Sequence, residues 1–253
     1  MLRSFAKSSL EALLRSFGYE LHVIGEHLRG FNGFLALIKD RGFEPGLVID
    51  AGVGRGTTWL YEAFPRSKFV LFEALPAFEP HLKGIMKQVD AEYHLCALND
   101  SDGEIPLYVP ENALEGSSLL RRDESWQATL QGNRIAPVRE TRVASRRLDG
   151  FELPGSNYLL KLDVEGAELA VLRGATKTLA RTEVIISELR VEHRHAGQSD
   201  MAAVMSYLAE QGFKLFDIIE MESTAGGPLA FVDAAFIRAD SRLLSRQDRR
   251  SIP

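Results

Sequence analysis

The sequence predicts an α/β fold in which strands and helices alternate along most of the chain. Three observations carry that expectation. An apolar, β-branched run from Leu47 to Ile49 stops at Asp50 and passes through alternating glycines (Gly52, Gly54, Gly56) into helix-compatible residues from Thr57 to Phe64, which reads as strand, tight turn and helix start. Other apolar runs also finish on acids, namely Lys68 to Glu73, Tyr158 to Asp163 and Glu183 to Glu188, with helical-period segments between strands. Finally, Phe213 to Ile219 and Ala230 to Arg238 flank a Gly226-Gly227-Pro228 loop, which reads as a closing pair of strands.

Composition fits this class. With 253 residues, 45% hydrophobic and 26% charged, the chain has the mix of an ordinary globular protein and the length of one large α/β domain with extensions. A net charge of −5 argues against a protein whose main role is to hold a polyphosphate backbone, so no nucleic-acid partner is expected. Cys96 is the only cysteine, which rules out an internal disulfide and points to a reducing, cytoplasmic setting and a buried, hydrophobe-like role for the thiol. No run of about 18 apolar residues exists to span a bilayer.

Residues 1–45 are expected to form an N-terminal helical extension. Leu2, Phe5, Leu10, Leu13, Leu14 and Phe17 recur at helical spacing among Arg3, Lys7 and Arg15. Such a basic amphipathic helix packs on its own domain or on a second subunit, with a membrane surface as the alternative. A short extended piece, Tyr19 to Ile24, precedes a second helix from about Leu28 to Arg41 whose face carries Phe31, Phe34, Leu35 and Ile38. The main domain is expected over 46–240.

The glycine turn alone reads as either a plain strand-to-helix connection or a cofactor site, because glycines let a ligand approach the main chain and a helix start offers free N–H groups. Thr57 stands where a dinucleotide-binding turn would have its third glycine. Glu73, at the tip of the second strand, is placed to accept hydrogen bonds from both ribose hydroxyls of an adenosine. Pro76 opens the next helix, and Ala91 to Leu98 reads as one third strand; Ala97 and Leu98 would wall an adenine, with Asn99 or Asp100 reaching its amine or simply making a turn. Gly103 to Val109 reads as an extra strand and breaks the alternation. Pro110 to Ile135 lacks periodicity, and this insertion within 103–145 is expected to be an acceptor-side loop. Val138 to Val143 reads as another strand, and the basic cluster Arg139, Arg142, Arg146 and Arg147 as a solvated face more than an anion site. From Asp240 the chain, rich in Arg and Ser, is expected to be a loose tail.

The most informative residues follow the fourth strand. Lys161, Asp163, Glu165 and Glu168 crowd the carboxyl end of a strand and the start of a helix, which is more acid than helix capping requires. The run Lys161 to Ala175 resembles the signature of the FkbM-type methyltransferases, a branch of the class I S-adenosylmethionine-dependent enzymes. Val48 to Gly56, Phe72 to Pro76, Ala97 to Leu107 and Arg147 to Asp149 are similar to that family's other elements in the same order. Gly54 stands where the family usually has asparagine, and Ala74 where it often has proline. The similarity runs from about Leu47 to Phe236.

The resemblance implies a Rossmann-like class I methyltransferase fold, a mostly parallel seven-stranded sheet with an antiparallel last strand and helices on both faces, and methylation of a hydroxyl on a glycan or natural product. It implies S-adenosylmethionine held by Asp50, Gly52, Gly54, Gly56, Thr57, Thr58, Glu73, Ala74, Ala97, Leu98 and Asp163, with S-adenosylhomocysteine as product. Candidates for proton removal and alignment are Lys161, Asp163, Glu165 and His193; Asp163 and Glu188 are the candidates for a Mg²⁺ ion, which is the weaker option. Rival readings are an N-methyltransferase, though no Asn-Pro-Pro-aromatic run follows the fourth strand, and a noncatalytic adenosine-binding module. A nicotinamide oxidoreductase is a third, but Tyr158 and Lys161 are one residue too close for a Tyr-x-x-x-Lys pair. A homodimer is compatible with the N-terminal helices.

Overall fold

A computed structural model describes residues 29–123, 137–223 and 227–245. The expected helix from Leu2 and the extended piece Tyr19 to Ile24 lie outside the described residues. The first described helix, α1 (Gly30–Asp40), buries Phe34, Leu35 and Ile38 on one face and ends where Gly42 takes a φ of +85°.

Seven strands make the main sheet: β1 (Leu47–Ala51), β2 (Lys68–Glu73), β3 (Ala91–Leu95), β7 (Tyr158–Leu162), β8 (Thr182–Arg190), β9 (Phe213–Ser223) and β10 (Leu229–Arg238). Their order is β3-β2-β1-β7-β8-β10-β9, and β10 runs antiparallel to both its neighbours. This is the Rossmann-like class I methyltransferase arrangement that the family resemblance implies. The central strands are buried on both faces, which explains their continuous apolar runs. Leu47, Ile49 and Ala51 enter one core with Tyr158, Leu160 and Leu162, while Val48 enters the other with Leu159, as a period of two requires.

Short helices connect the strands: α2 (Thr58–Ala63) after the glycine turn, α3 (Glu79–Ile85) after a 3-10 turn opened by Pro76, α4 (Glu168–Arg173) and α5 (Thr176–Leu179) after β7, and α6 (Met201–Glu210) before β9. Asp149 explains its place in the Arg147-Leu148-Asp149 element. Its carboxylate accepts from the main-chain N–H groups of Lys177 and Thr178 at 2.8 and 2.9 Å, and from both nearby threonine hydroxyls, so it closes the start of α5.

Two expectations change. The third strand is not continuous: it breaks at Cys96, and β4 (Ala97–Leu98) leaves the main sheet to pair with β6 (Val138–Arg146). With β5 (Gly103–Pro110), β6 forms a three-stranded sheet in the order β4-β6-β5. The antiparallel β5–β6 pair supplies free main-chain groups that capture β4, and Asn99 N–H extends the ladder to the Arg146 carbonyl at 3.0 Å. The residues just after Asp240 also differ from a loose tail. Arg242 to Leu244 form a 3-10 turn capped by Ser241, Leu243 is buried, and Arg41 donates to the Leu243 carbonyl.

Candidate active site

A cavity of about 500 Å³ opens beyond the carboxyl ends of β1, β2, β7 and β8, within the range of about 300–1,000 Å³ typical of small-molecule sites. Open α/β sheets bind ligands at this edge. The glycine turn forms one wall. Gly52, at a φ of +77°, passes so close to β7 that a Cβ there would lie 1.7 Å from the Asp163 carbonyl oxygen. Gly54, at +54°, faces open space within 4 Å, leaving its main chain accessible from the cavity.

Glu73 stands opposite this turn. Its Oε2 accepts from the Gly54 N–H and its Oε1 from the Leu75 N–H, both at 2.8 Å, so the carboxylate is fixed while each oxygen keeps a lone pair for the cavity it lines. Burial pushes its pKa up against the pull of those two N–H groups. Ala97, Leu98, Phe78 and Leu107 form an apolar wall beside it, and Ala74 and Cys96 also line the space. Burial raises the Cys96 thiol to about 11, consistent with the hydrophobe-like role its solitary occurrence suggests.

Lys161 ties the strand tips together. Its Nζ donates to the Gly52 carbonyl at 2.8 Å and lies 3.4 Å from both Asp50 and Asp163. Burial acts to lower this ammonium, and the two carboxylates outweigh it, so the net shift is upward. Asp50 does not line the cavity. It is fully buried, accepts from the Tyr61 hydroxyl at 2.8 Å, and anchors the turn from behind; Tyr61 in turn accepts from the Thr57 N–H. Burial and the Asp50 charge raise the Tyr61 hydroxyl, which keeps it a donor.

Asp163, Glu165 and Glu188 gather at the other end of the cavity, with carboxylate oxygens within 4.8 Å of one another. Arg190 answers two of them: its Nη2 lies 2.5 Å from Glu165 and 2.8 Å from Glu188. Burial, with Asp163 close by, pushes Glu188 upward. Glu165 adopts a φ of +54°, and its carbonyl accepts from the Ser118 hydroxyl, which joins the insertion to this turn. Glu168 caps the same turn, its Oε1 accepting from the Val164 and Gly166 N–H groups at 3.2 and 3.1 Å.

Burial raises Glu168 to about 7. The folded chain therefore holds this proton more tightly than the unfolded chain, and stability falls as pH rises from about 4.5 toward 7. In urea titrations at several pH values, Glu168→Gln should flatten that slope, leaving a residue from Glu188 and Asp233, which shift in the same direction. An unchanged slope would exclude Glu168 as its source.

Several sequence candidates lie elsewhere. His193 is exposed and does not line the cavity, because the chain after β8 turns it outward. Its neighbour His195 is buried, kept neutral by burial at about 4, and also off the cavity. Thr58 is exposed behind the turn, whereas Thr57 lines the cavity. Neither Asn99 nor Asp100 lines it, since the switch to the small sheet carries them away. Arg139, Arg142, Arg146 and Arg147 likewise lie outside it, and Arg147 pairs with Asp102 at 3.2 Å. Sequence reasoning missed Phe31 and Trp59 as lining residues, and with them Glu220, Phe231 and Asp233. For the last two, the alternation of β10 was a usable signal, since they sit two apart on one face.

The family profile described as "Methyltransferase FkbM domain" matches residues 50–215, well over half of the chain. The chain belongs to the FkbM methyltransferase family. A protein from Beauveria bassiana (strain ARSEF 2860) named "Methyltransferase 1" is 30% identical over 147 residues, a match that takes in 52% of this chain and 59% of that protein. Among solved structures, the chain is similar to magnesium protoporphyrin IX methyltransferase from Synechocystis PCC 6803 with bound SAH, with a TM-score of 0.44 and 12% identity over 94% of this chain and 97% of that one. It is also similar to the Burkholderia thailandensis 1,6-didemethyltoxoflavin-N1-methyltransferase, with a TM-score of 0.44 and 12% identity over 83% of this chain and 77% of that one. No described helix of this FkbM family member is long and apolar enough to cross a membrane.

Proposed function

We propose that this protein is an S-adenosylmethionine-dependent O-methyltransferase that acts on a hydroxyl of a glycan or natural-product acceptor, in the cytoplasm. The observation that carries the reading is Glu73, a carboxylate fixed by two main-chain N–H groups opposite the open main chain of Gly54. Its free lone pairs suit two neighbouring ribose hydroxyls, and the apolar wall of Ala97, Leu98 and Phe78 suits an adenine. Gly52, Gly54 and Gly56 bring the main chain up to the amino-acid end, near Lys161 and Asp163.

Bound there, the cofactor supplies a methyl group already activated by its sulfonium. The chain's own residues then align the acceptor, exclude water and take a proton. Asp163 is placed to take that proton, since it lines the cavity, its side chain is 44% exposed, and Lys161 fixes its orientation at 3.4 Å. Glu165 is held to Arg190 and positions the turn. The donor set does not fit Mg²⁺, because the Arg190 guanidinium already occupies the neighbourhood of two of the three clustered carboxylates. Homodimer formation through the N-terminal extension accompanies this reading as a proposal.

Thermal unfolding with S-adenosylhomocysteine and with NAD separates the readings. Saturating the chain at about 100 times the dissociation constant should stabilise it by about 2.7 kcal/mol with the former and leave it unmoved by the latter. A shift with NAD alone would refute the methyltransferase reading. Asp163→Asn should retain the S-adenosylhomocysteine shift and lose methyl transfer; full turnover would remove Asp163 from the chemistry.

A further inference from the structure

The strand register lines up three carboxylates across neighbouring strands. Asp233 on β10 is the partner of Glu188 on β8 and of Glu220 on β9, and all three line the cavity. Directly opposed residues of antiparallel strands share a face, and like charges there repel. Among the described residues this repulsion is answered at one end only, where Arg190 stands by Glu188. Even there Glu188, 8% exposed, has an Oε1 with no hydrogen bond of good geometry. Asp233 and Glu220 have neither an ion pair nor a side-chain hydrogen bond among the described residues. Burial, then Asp163 and Glu220, push the Asp233 carboxyl up to about 7, against the opposing pull of Lys161 and Arg190.

Aromatic faces border the same rung. Phe31 stacks on Trp59 with ring centroids 4.1 Å apart, and both line the cavity. Glu220 lies by the residue before Phe31, its Oε1 3.6 Å from the point where a Cβ on Gly30 would sit. Phe231, two residues before Asp233 on the same strand, also lines the wall, but its ring already carries the Arg190 guanidinium at 5.1 Å from the centroid. Asp233 and Glu220, unpaired among the described residues and next to aromatic side chains, favour an organic cation and oppose a phosphate or carboxylate by repulsion. A compact divalent ion finds no such use for the rings.

We propose that the acceptor carries a protonated amine, which seats on the Glu188–Asp233–Glu220 rung against Phe31 and Trp59 while a separate hydroxyl receives the methyl group. This rests on the methyltransferase reading, which makes this the acceptor end of the cavity. Its chemistry is recognition only, so no bond forms or breaks at the rung.

The test uses the full chain loaded with S-adenosylhomocysteine, whose own binding is measured first by calorimetry. Benzylamine, benzyl alcohol and benzoate then probe the rung with one ring and three charges. Benzylamine should bind about tenfold more tightly than benzyl alcohol, and benzoate more weakly than either. Asp233→Asn with Glu220→Gln should bring the amine and alcohol within about twofold, with S-adenosylhomocysteine affinity held, which also shows that the variant is folded. Equal binding of the three probes, no binding of the amine, an amine preference that survives the double variant, or displacement of benzylamine by millimolar MgCl₂ would each overturn the proposal. Failure of S-adenosylhomocysteine itself to bind would instead overturn the cofactor reading beneath it.

Discussion

Replacing Glu73 with alanine is expected to weaken S-adenosylhomocysteine binding by at least about a hundredfold in calorimetry. A hydrogen bond to a charged acceptor contributes about 1.5–3 kcal/mol, so two ribose hydroxyls lost together amount to about 3–6 kcal/mol. The variant loses a second thing. Glu73 also holds the Gly54 and Leu75 N–H groups, so its removal leaves both donors without their partner and slackens the turn. Glu73→Gln separates the effects, because its amide oxygen still accepts one N–H while its NH₂ meets a ribose hydroxyl with a donor. An affinity unchanged in both variants would remove Glu73 from the cofactor site.

Gly52→Ala is expected to abolish folding rather than binding. A methyl group 1.7 Å from the Asp163 carbonyl oxygen cannot be relieved by a rotamer change, since the obstacle is the main chain of the neighbouring strand. The positive φ adds about 1–2 kcal/mol. Separating β1 from β7 would also loosen the Asp163 N–H bond to the Ala51 carbonyl. The sum exceeds about 4 kcal/mol, against a total stability of about 5–15 kcal/mol for a domain. Gly54→Ala is the control: its Cβ meets nothing within 4 Å, so the fold should survive the strain while the methyl group enters the cavity. Soluble yield and urea unfolding distinguish the two, and a stable Gly52→Ala chain would contradict the close approach of β1 to β7 at this glycine.

The central sheet was legible because its chemistry repeats along the chain. Buried parallel strands must be apolar on both faces, and their tips must carry the polar groups of the site, so runs such as Lys68 to Glu73 announce both element and site. Glu73 and Lys161 followed from position at a strand end. Asp50 was harder: its strand-end place says that it matters, but only the Tyr61 hydroxyl and the Lys161 ammonium show that it faces inward as an anchor. The break at Cys96 was hidden, because residues 91–98 suit either sheet and the choice depends on β6, some forty residues away. Glu220 and Asp233 were missed for a related reason. Each is an ordinary polar residue on its strand, and only the register across β8, β10 and β9 sets them beside Glu188.

The split strand at Cys96 ties the cavity wall to the small sheet. Ala97 and Leu98 belong at once to the wall beside Glu73 and to the ladder that carries β6 and, through it, β5 with Leu107. The same small sheet borders the insertion, where the Ser118 hydroxyl donates to the Glu165 carbonyl. Any affinity that a ligand at one end adds to a ligand at the other is returned in equal measure, because thermodynamic linkage makes such a coupling mutual.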